Sequence, residues 1–521
     1  MGQKRKNRSA RPFPKGRQPK AEDMAAVTAL LGDVPPGRSE LIEHLHTLND
    51  TFGHLSAGHL AALAQVLKLA QIDVYETATF YAHFQTLADG ETPPPPVTLR
   101  VCDGPACRMA GAKALLTDAL DRFTDQVRVV PAPCQGACDT PPSAILGKRR
   151  ISPLRLENLT VDDAASNPLP AIAPIETHPK TGLREELEIA NLRGLGGAGF
   201  PVAKKWAFFD GAKKPRVLVV NADEGEPGTF KDRYLLETEP EKVLTGMMLA
   251  AHALEADDIF FYLRDEYAHL YAALAPALRD MGVVLRRGAG AYVCGEETAL
   301  LNSLEGKRGQ PRNRPPYPAQ SGYKRRPTIT HNVETLYWIA DIAERGGQTY
   351  AHENRPRFFS VSGRVKAPGV YRAPSTATVM DLIEMAGGMA DGHTLKAFLP
   401  GGASGGIFPA RLKDKTMDFG VFEEYGGFVG SGALTVLSDQ DDLWAVAENL
   451  MEFFADESCG KCTPCRVGTE KMLGLIKNAH ANADLIQDLS ATMRDTSICG
   501  LGQAAPNPVL CLLQHFGEDD L

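Results

Sequence analysis

Apolar residues recur at helical spacing early in the chain, in Leu41–Leu48 and again in Leu60–Leu69. Residues 24–86 therefore read as a set of amphipathic helices. The run Pro93–Pro96 interrupts that pattern and marks a boundary. The pattern then predicts a strand (Val97–Val101), a helix (Ala112–Phe123) and a second strand (Gln126–Val130), a small α/β unit closing near Leu156. Pro, Ala and Asp dominate from Val161 to Pro179, the composition of a linker. Across 181–350, predicted strands at Val217–Val220, Ile259–Leu263 and Gly282–Leu285 alternate with helices, as in an α/β layer structure. Residues 357–440 change character: short strands at Phe358–Val365, Lys396–Leu399 and Ala433–Leu437 surround one helix, Val379–Ala386. From Asp441 the helical period returns, in Leu443–Phe454 and Thr469–Ala479. No internal repeat is visible.

At 521 residues the chain is long for one core, and three or four domains are expected. Its net charge of −8 argues against nucleic acid as the main partner. The start differs, because Lys4, Arg5, Lys6, Arg8, Arg11, Lys15, Arg17 and Lys20 precede any acid. Residues 1–22 read as a basic disordered tail, with docking onto an acidic partner surface as the alternative. This segment lacks the apolar core of a signal peptide. No run approaches the roughly 20 apolar residues of a membrane-spanning helix. The best stretch, near Met247–Ala251, is broken by His252, Glu255 and two aspartates. A cytoplasmic location with no direct membrane contact is expected.

The ten cysteines change the picture most. Nothing marks the chain as secreted, so metal or redox chemistry is favoured over disulfides. Cys459, Cys462 and Cys465 form C-x2-C-x2-C, and Cys499 lies 34 positions after the third. Three thiolates on one loop with a fourth from elsewhere suit a 4Fe–4S cluster. Structural zinc, the alternative, prefers two separated pairs. Gly460, Pro464 and Gly500 let the loop bend. Cys102 and Cys107 form C-x4-C, and Cys134 and Cys138 form C-x3-C, each pair just after a predicted strand. That spacing accepts a 2Fe–2S cluster or zinc alike. Cys294 and Cys511 stand alone and read as buried thiols.

Gly194-Leu195-Gly196-Gly197-Ala198-Gly199 matches G-x-G-x-x-G, but the preceding Leu183–Leu192 reads as helix, whereas a Rossmann loop follows a strand. Its amides remain suited to cradling a phosphate, with lysine nearby, and a packing turn is the alternative. The strand Val217–Val220 runs into Asn221-Ala222-Asp223-Glu224-Gly225-Glu226-Pro227-Gly228, acids at the carboxyl end of a strand where α/β sheets bind ligands. A solvated turn is the alternative. Tyr292-Val293-Cys294-Gly295-Glu296-Glu297-Thr298 is a second acidic loop, with an aromatic able to stack on a ring.

Together these segments resemble a known family. Residues 181–521 resemble the NADH-oxidising flavoprotein subunit of respiratory complex I and its soluble relatives. The motifs are RGLGGAGFP (193–201), KW (205–206), NADEGEPGTFKDR (221–233), YVCGEETAL (292–300), PPYPAQSG (315–322), NVET (332–335) and SCGKCTPCR (458–466) with Cys499. Residues 24–157 resemble the family's thioredoxin-like 2Fe–2S subunit, through ETATFYAHF (76–84) and both cysteine pairs. The resemblance implies a multidomain α/β chain: a basic tail (1–22), a helical bundle (23–92), a thioredoxin-like 2Fe–2S domain (93–160), a linker (161–180), an FMN- and NAD-binding α/β domain (181–352), a ubiquitin-like, SLBB-type β-grasp module (353–440) and a helical bundle with a 4Fe–4S cluster (441–521). It implies that Gly194, Gly196, Lys205, Asn221, Asp223, Glu224, Tyr292, Gly295, Glu296, Asn332 and Thr335 hold FMN. Phe200, Phe208, Glu226, Glu297 and Tyr317 would line the NAD site, with Arg314 near its phosphates. The cysteine ligands would be Cys459, Cys462, Cys465 and Cys499 for 4Fe–4S, and Cys102, Cys107, Cys134 and Cys138 for 2Fe–2S. The chain departs from the family at Leu195 and Arg314, where Arg and Lys are usual, at His331, where Asn usually precedes NVET, and at Tyr317, where Phe is common.

Carrying both subunits on one chain resembles the NAD-linked (diaphorase) subunit of soluble molybdenum-type formate dehydrogenases, and also that of NAD-reducing hydrogenases. Chain length and the complete first quartet favour the formate enzyme. The expected partners are a molybdenum- and iron–sulfur-containing catalytic subunit and a small 2Fe–2S subunit, in a hetero-oligomer without nucleic acid or membrane. Two rival readings are a flavin-free Rossmann dehydrogenase using Gly194–Gly199 and Asp223, which leaves both quartets unexplained, and a zinc-stabilised scaffold without catalysis.

Overall fold

The computed structural model describes residues 16–123, 126–157, 159–165 and 167–517. The chain divides into two compact units. The first comprises residues to Pro94 with the short excursion Glu305–Arg308. Its helices, Ala21–Leu31, Leu41–Phe52, Ala57–Leu67 and Gln71–Phe80, bury Leu41, Leu45, Leu48, Leu60, Leu63 and Leu67, the periodic apolar positions. Gly53 ends the second helix in the left-handed region that glycine enters without strain, and the Ser56 hydroxyl caps the third by accepting from His59 N at 3.0 Å. The Tyr81 hydroxyl donates to Lys307 O at 2.8 Å, tying the excursion to the helices. The basic tail read over 1–22 falls mainly on residues 1–15, which lie outside the described residues. From Gly16 the chain is held: Arg17 N donates to Gln71 Oε1 at 2.9 Å, and the first helix already begins at Ala21.

The second unit holds everything from Pro95 onward apart from that excursion. Its first sheet has the order Val127–Ala132, Val97–Cys102, Ala144–Leu146, Arg149–Ile151; the first pair is parallel and the others antiparallel. The crossover helix Ala112–Arg122 covers it. The hairpin is absent from the periodicity reading, because strands of three residues carry too short a pattern. The stretch 161–180, read as linker, does more than connect. Leu169 N and Ile172 N donate to the backbone of helix Ala268–Asp280, and Leu169, Ile172 and Ile175 pack on the large core.

That core surrounds an all-parallel sheet of order Thr328–Asn332, Val217–Ala222, Asp258–Leu263, Val284–Arg287. Val217–Val220 and Phe260–Leu263 are buried, as expected for strands covered on both faces. The edge strand Thr328–Asn332 (TITHN) escapes an apolar-run criterion, since most of its residues are polar and its burial comes from neighbours. It leads into helix Val333–Arg345, capped by Asn332, whose side-chain oxygen accepts from Thr335 N at 2.9 Å.

The next sheet orders Gly369–Ala373, Arg357–Gly363, Ala433–Ser438, Leu395–Leu399 and Phe408–Pro409. Its first and last long strands pair in parallel between antiparallel neighbours, and helix Val379–Met385 buries Val379, Leu382 and Ile383 against it, a β-grasp arrangement. Five helices, Leu443–Asp456, Thr463–Ile476, Ala483–Thr496, Gly500–Ala504 and Asn507–His515, finish the chain around Leu450, Phe454, Met472 and Met493.

Candidate functional site

The carboxyl ends of strands Val217–Ala222 and Thr328–Asn332 collect most of the polar residues singled out from the sequence. Asn221 and Asn332 are direct partners across the sheet. The Asn221 amide donates to Gly295 O at 2.9 Å, and its oxygen accepts from Asp223 N at 3.0 Å. The Asn332 amide donates to Asp232 Oδ2 at 2.7 Å. The glycine loop folds against this edge. Gly194 N donates to Phe200 O at 2.8 Å, and Leu195 N to the Thr335 hydroxyl at 2.9 Å. A Cβ at Gly196 would stand 2.9 Å from Asn332 Cβ, so the backbone approaches closer than a side chain permits. Helix Leu183–Ala190 precedes the loop, which separates it from a Rossmann turn.

Lys205, on the following helix, donates to Thr330 O at 2.8 Å and pairs with Glu297 at 3.2 Å. Arg314 lies 3.8 Å from Glu297 and bonds Glu296. Glu296 in turn caps helix Glu297–Leu304 by accepting from Thr298 N and Ala299 N at 3.0 and 2.9 Å. The departure at His331 has a local account: Trp206 Nε1 donates to His331 Nε2 at 2.8 Å. Burial, with Lys205 near, holds the imidazole well below its ordinary value, so it is neutral and can accept. Leu195 is buried in the main core. Phe200, Phe208 and Tyr317 are exposed, the first two with ring centroids 5.9 Å apart.

The acidic loop divides in role. Asp223 is partly exposed, but its Oδ2 is buried without a hydrogen-bond partner, and desolvation pushes the carboxyl up to about 8. A buried polar atom without a partner is costly and marks a position suited to a polar ligand atom. Glu224, by contrast, is fully engaged within the protein: it accepts from Asp232 N, Arg233 N and the Tyr267 hydroxyl at 2.8, 3.0 and 2.8 Å. Glu226 accepts from Ser404 N and Oγ at 2.8 and 2.7 Å and from the Tyr292 hydroxyl, joining the acidic loop to the β-grasp module. Burial raises its carboxyl above the usual range.

Several residues that the sequence reading leaves out of the site are conspicuous in the structure. Asp232 orients Asn332, and Ser404 anchors Glu226. Glu457 accepts from Tyr292 N at 2.8 Å, and Arg264 spans two loops. Lys231 and Glu334 are buried with Asp232: Lys231 Nζ stands 2.8 Å from Asp232 and 3.0 Å from Glu334. Asp232 and Arg264 carry a positional signal, since each follows a central strand or its motif; Ser404 carries little beyond its glycine-rich surroundings.

All ten cysteines are free thiols. Cys102, Cys107, Cys134 and Cys138 are buried side by side, with the Cys134 and Cys138 sulfurs 3.3 Å apart. Hydrogen bonds from the Cys102 and Cys138 thiols, helped by the Gly228 and Gly136 backbone, hold Cys134 well below the ordinary thiol value. A thiolate there is the form that binds metal. Gly228 belongs to the acidic loop, so the first quartet lies directly against it. The second quartet lines one cavity with Val293, Pro311, Ser458, Lys461, Ile498 and Leu501. Burial pushes Cys465 up to about 11 and Cys499 up to about 12. Among the described residues no group of three or more His, Cys, Asp or Glu side chains is arranged around a single metal ion. Four thiolates are the number that either cluster type takes, two on each iron of a 2Fe–2S rhomb and one on each iron of a 4Fe–4S cube.

Comparison with known proteins agrees with this geometry. Residues 187–341 match the Nuo51 FMN-binding domain, 445–520 the NADH-ubiquinone oxidoreductase-F iron-sulfur binding region, 27–161 the thioredoxin-like [2Fe-2S] ferredoxin and 358–408 the SLBB domain. The NADH-quinone oxidoreductase F subunit of Streptomyces coelicolor is 38% identical over 378 residues, which cover 65% of this chain and 84% of the relative. Its counterpart from Aquifex aeolicus is 38% identical over 63% of this chain and 83% of its own. A chain of the NAD+-reducing [NiFe]-hydrogenase in its H2-reduced state superposes with a TM-score of 0.81 at 31% identity, covering 93% of this chain and 92% of that one.

Proposed function

The chain belongs to the family of NADH-quinone oxidoreductase F subunits, and we propose that it is the NAD(H)-exchanging, diaphorase-type subunit of a cytoplasmic formate dehydrogenase. It is an NADH-oxidising flavin and iron–sulfur electron-transfer subunit, with FMN, one 4Fe–4S and one 2Fe–2S cluster as its cofactors. No described helix is long and apolar enough to cross a membrane.

One observation supports the electron route above all. The single turn Tyr292–Gly295 serves two sites: Tyr292 and Gly295 touch the acidic loop, while Val293 lines the cavity of the second quartet. FMN, when bound, supplies the chemistry that exchanges two electrons with a nicotinamide and single electrons with a cluster. The chain's residues do the rest. Gly194, Gly196 and Lys205 would hold the phosphate; Asn221, Asp223, Gly295, Asn332 and Thr335 would bond the ribityl chain and ring edges. Tyr292, Glu224 and Glu296 would shape that pocket from behind, since their polar atoms are engaged within the protein. Phe200, Phe208 and Tyr317 offer exposed rings for a nicotinamide nucleotide, with Glu297 and Arg314 at its polar groups. Glu226, an acid, disfavours the extra phosphate of NADP. Cys459, Cys462, Cys465 and Cys499 would carry electrons toward the partner.

The test is an anaerobic NADH titration of the purified chain, following visible absorbance and analysing iron, sulfide and flavin. Flavin bleaching with roughly six irons per chain is expected for one cube and one rhomb; zinc in place of iron, or no flavin, overturns the reading. For the partner, the complete first quartet favours a molybdenum subunit oxidising formate, with a small 2Fe–2S subunit. A hydrogenase partner is the second reading, favoured by the extent of the superposition on the [NiFe]-hydrogenase chain. Metal analysis of the native complex, molybdenum against nickel, and formate- against hydrogen-driven NAD+ reduction decide between them.

A further inference from the structure

One buried cation joins the two loops that flank the first quartet. Arg264 leaves the carboxyl end of strand Asp258–Leu263 and is 4% exposed. Its guanidinium donates in three directions: Nη2 to Cys134 O at 2.8 Å, Nη1 to Glu224 O, and Nε and Nη2 to the Glu266 carboxylate at 3.1 and 3.0 Å. The Tyr267 ring lies 5.1 Å from it. A lysine, a single point of charge, cannot serve three acceptors in fixed directions; the planar fork of arginine can. One side chain thus fixes a ligand loop of the quartet relative to the backbone of the acidic loop.

Charge follows from the same placement. Reduction of a cluster adds one negative charge within a region where burial lowers the effective dielectric, so a nearby fixed cation stabilises the reduced form. We propose that Arg264 is a positioning residue for the first quartet's cluster, holding the Cys134 loop against the acidic loop and biasing that cluster toward its reduced state, with Glu266 partly offsetting the bias. The inference rests on reading Cys102, Cys107, Cys134 and Cys138 as the 2Fe–2S ligands.

The experiment is a redox titration of the anaerobically purified chain with its cofactors, monitored by electron paramagnetic resonance, which reads the two clusters separately. Arg264→Gln is expected to lower the ratio of reduced to oxidised 2Fe–2S at a fixed ambient potential about tenfold, a downward shift of about 59 mV for a one-electron couple. Arg264→Lys, which keeps the charge and loses the fork, should recover part of it. Glu266→Gln should move the midpoint upward, because it removes the offsetting charge. A purely structural role predicts that both neutral variants disturb the loop in the same direction, so shifts of equal sign, or no shift with the signal intact, overturn the inference. Should Arg264→Gln fail to retain the cluster, the sign for Glu266→Gln decides: upward supports the inference, zero or downward overturns it. A wild-type chain lacking any 2Fe–2S signal overturns the ligand reading and this inference with it, whereas an unshifted signal in the variants overturns this inference alone.

Discussion

The two cysteine quartets are built in opposite ways. Every member of the first is at most 3% exposed, and its surroundings are the inner parts of the molecule: the Phe230 ring, the Gly228 amide and Arg264. In the second, Cys465 is buried but Cys459, Cys462 and Cys499 are partly exposed, on loops between surface helices. Both adjoin loops proposed to hold the flavin, the first beneath the acidic loop and the second behind Tyr292–Gly295. A cluster with protein on every side has no direct exit to another protein, whereas a cluster near the surface can hand electrons on. On the proposed electron route, the second quartet is the relay and the first a store beside the flavin.

The sharpest way to break this comparison is to remove one ligand from each. Cys465→Ser is expected to reduce partner-linked turnover to background while NADH still bleaches the flavin in a stopped-flow trace. Cys134→Ser should leave a substantial part of partner-linked turnover. Equal losses in the two variants would remove the distinction between relay and store.

The floor under the first quartet is the next point of attack. Lys231 is 1% exposed between Asp232 and Glu334, and its neighbour Phe230 packs on Cys134 and Cys138. Lys231→Met strands two buried carboxylates and should cost about 3–5 kcal/mol in thermal or denaturant unfolding. Loss of 2Fe–2S iron should precede loss of 4Fe–4S iron as the variant is warmed.

How much of this contrast was legible in the sequence differs by residue. The cysteine spacings and the loops Gly194–Gly199 and Asn221–Gly228 are local in sequence, so periodicity and motif spacing place them. Strands Val217–Ala222 and Asp258–Leu263 are visible because burial on both faces demands an apolar run. Thr328–Asn332 is not, since its strand character is imposed by pairing with Val217–Ala222. Glu224 reads as a ligand because it stands at a strand end, yet its carboxylate is committed to Asp232, Arg233 and Tyr267, a fact of tertiary contact. Arg264 and Glu457 act across more than 100 residues of chain, on Cys134 and Tyr292. No spacing rule reaches that far.

Acid should separate the quartets as well. Glu237 bonds Arg150 of the thioredoxin-like hairpin, Arg233 and His269. Despite its burial, hydrogen bonding from His269 and the charges of Arg233 and Arg150 hold its carboxyl down to about 2. A depressed folded value means stability that is fully present above the unfolded value of 4.5 and lost as pH falls through about 2. Roughly 2–3 kcal/mol is at stake, and Glu237→Gln should remove it. In acid titrations followed by iron release, wild type should shed the first cluster before the second, and the variant should do so at higher pH.

Glu457 gives the smallest effect and the opposite sign, on the side of the second quartet. Burial pushes its carboxyl up to about 7, although Tyr292 N donates to it. A raised folded value for an acid means that the unfolded chain ionises first, near 4.5, and the folded chain only near 7. Stability from this group is therefore highest below about 4.5 and declines as pH rises toward 7, the reverse of Glu237. Glu457→Gln keeps an acceptor for Tyr292 N and removes the titration. In the flavin- and cluster-free chain it should be neutral at pH 4 and stabilising by roughly 1–2 kcal/mol at pH 8, measured by denaturant unfolding at both values. A variant equally affected at both would show that Glu457 acts through shape alone. The two quartets would then differ in exposure but not in the charge environment of the loops that join them to the flavin site.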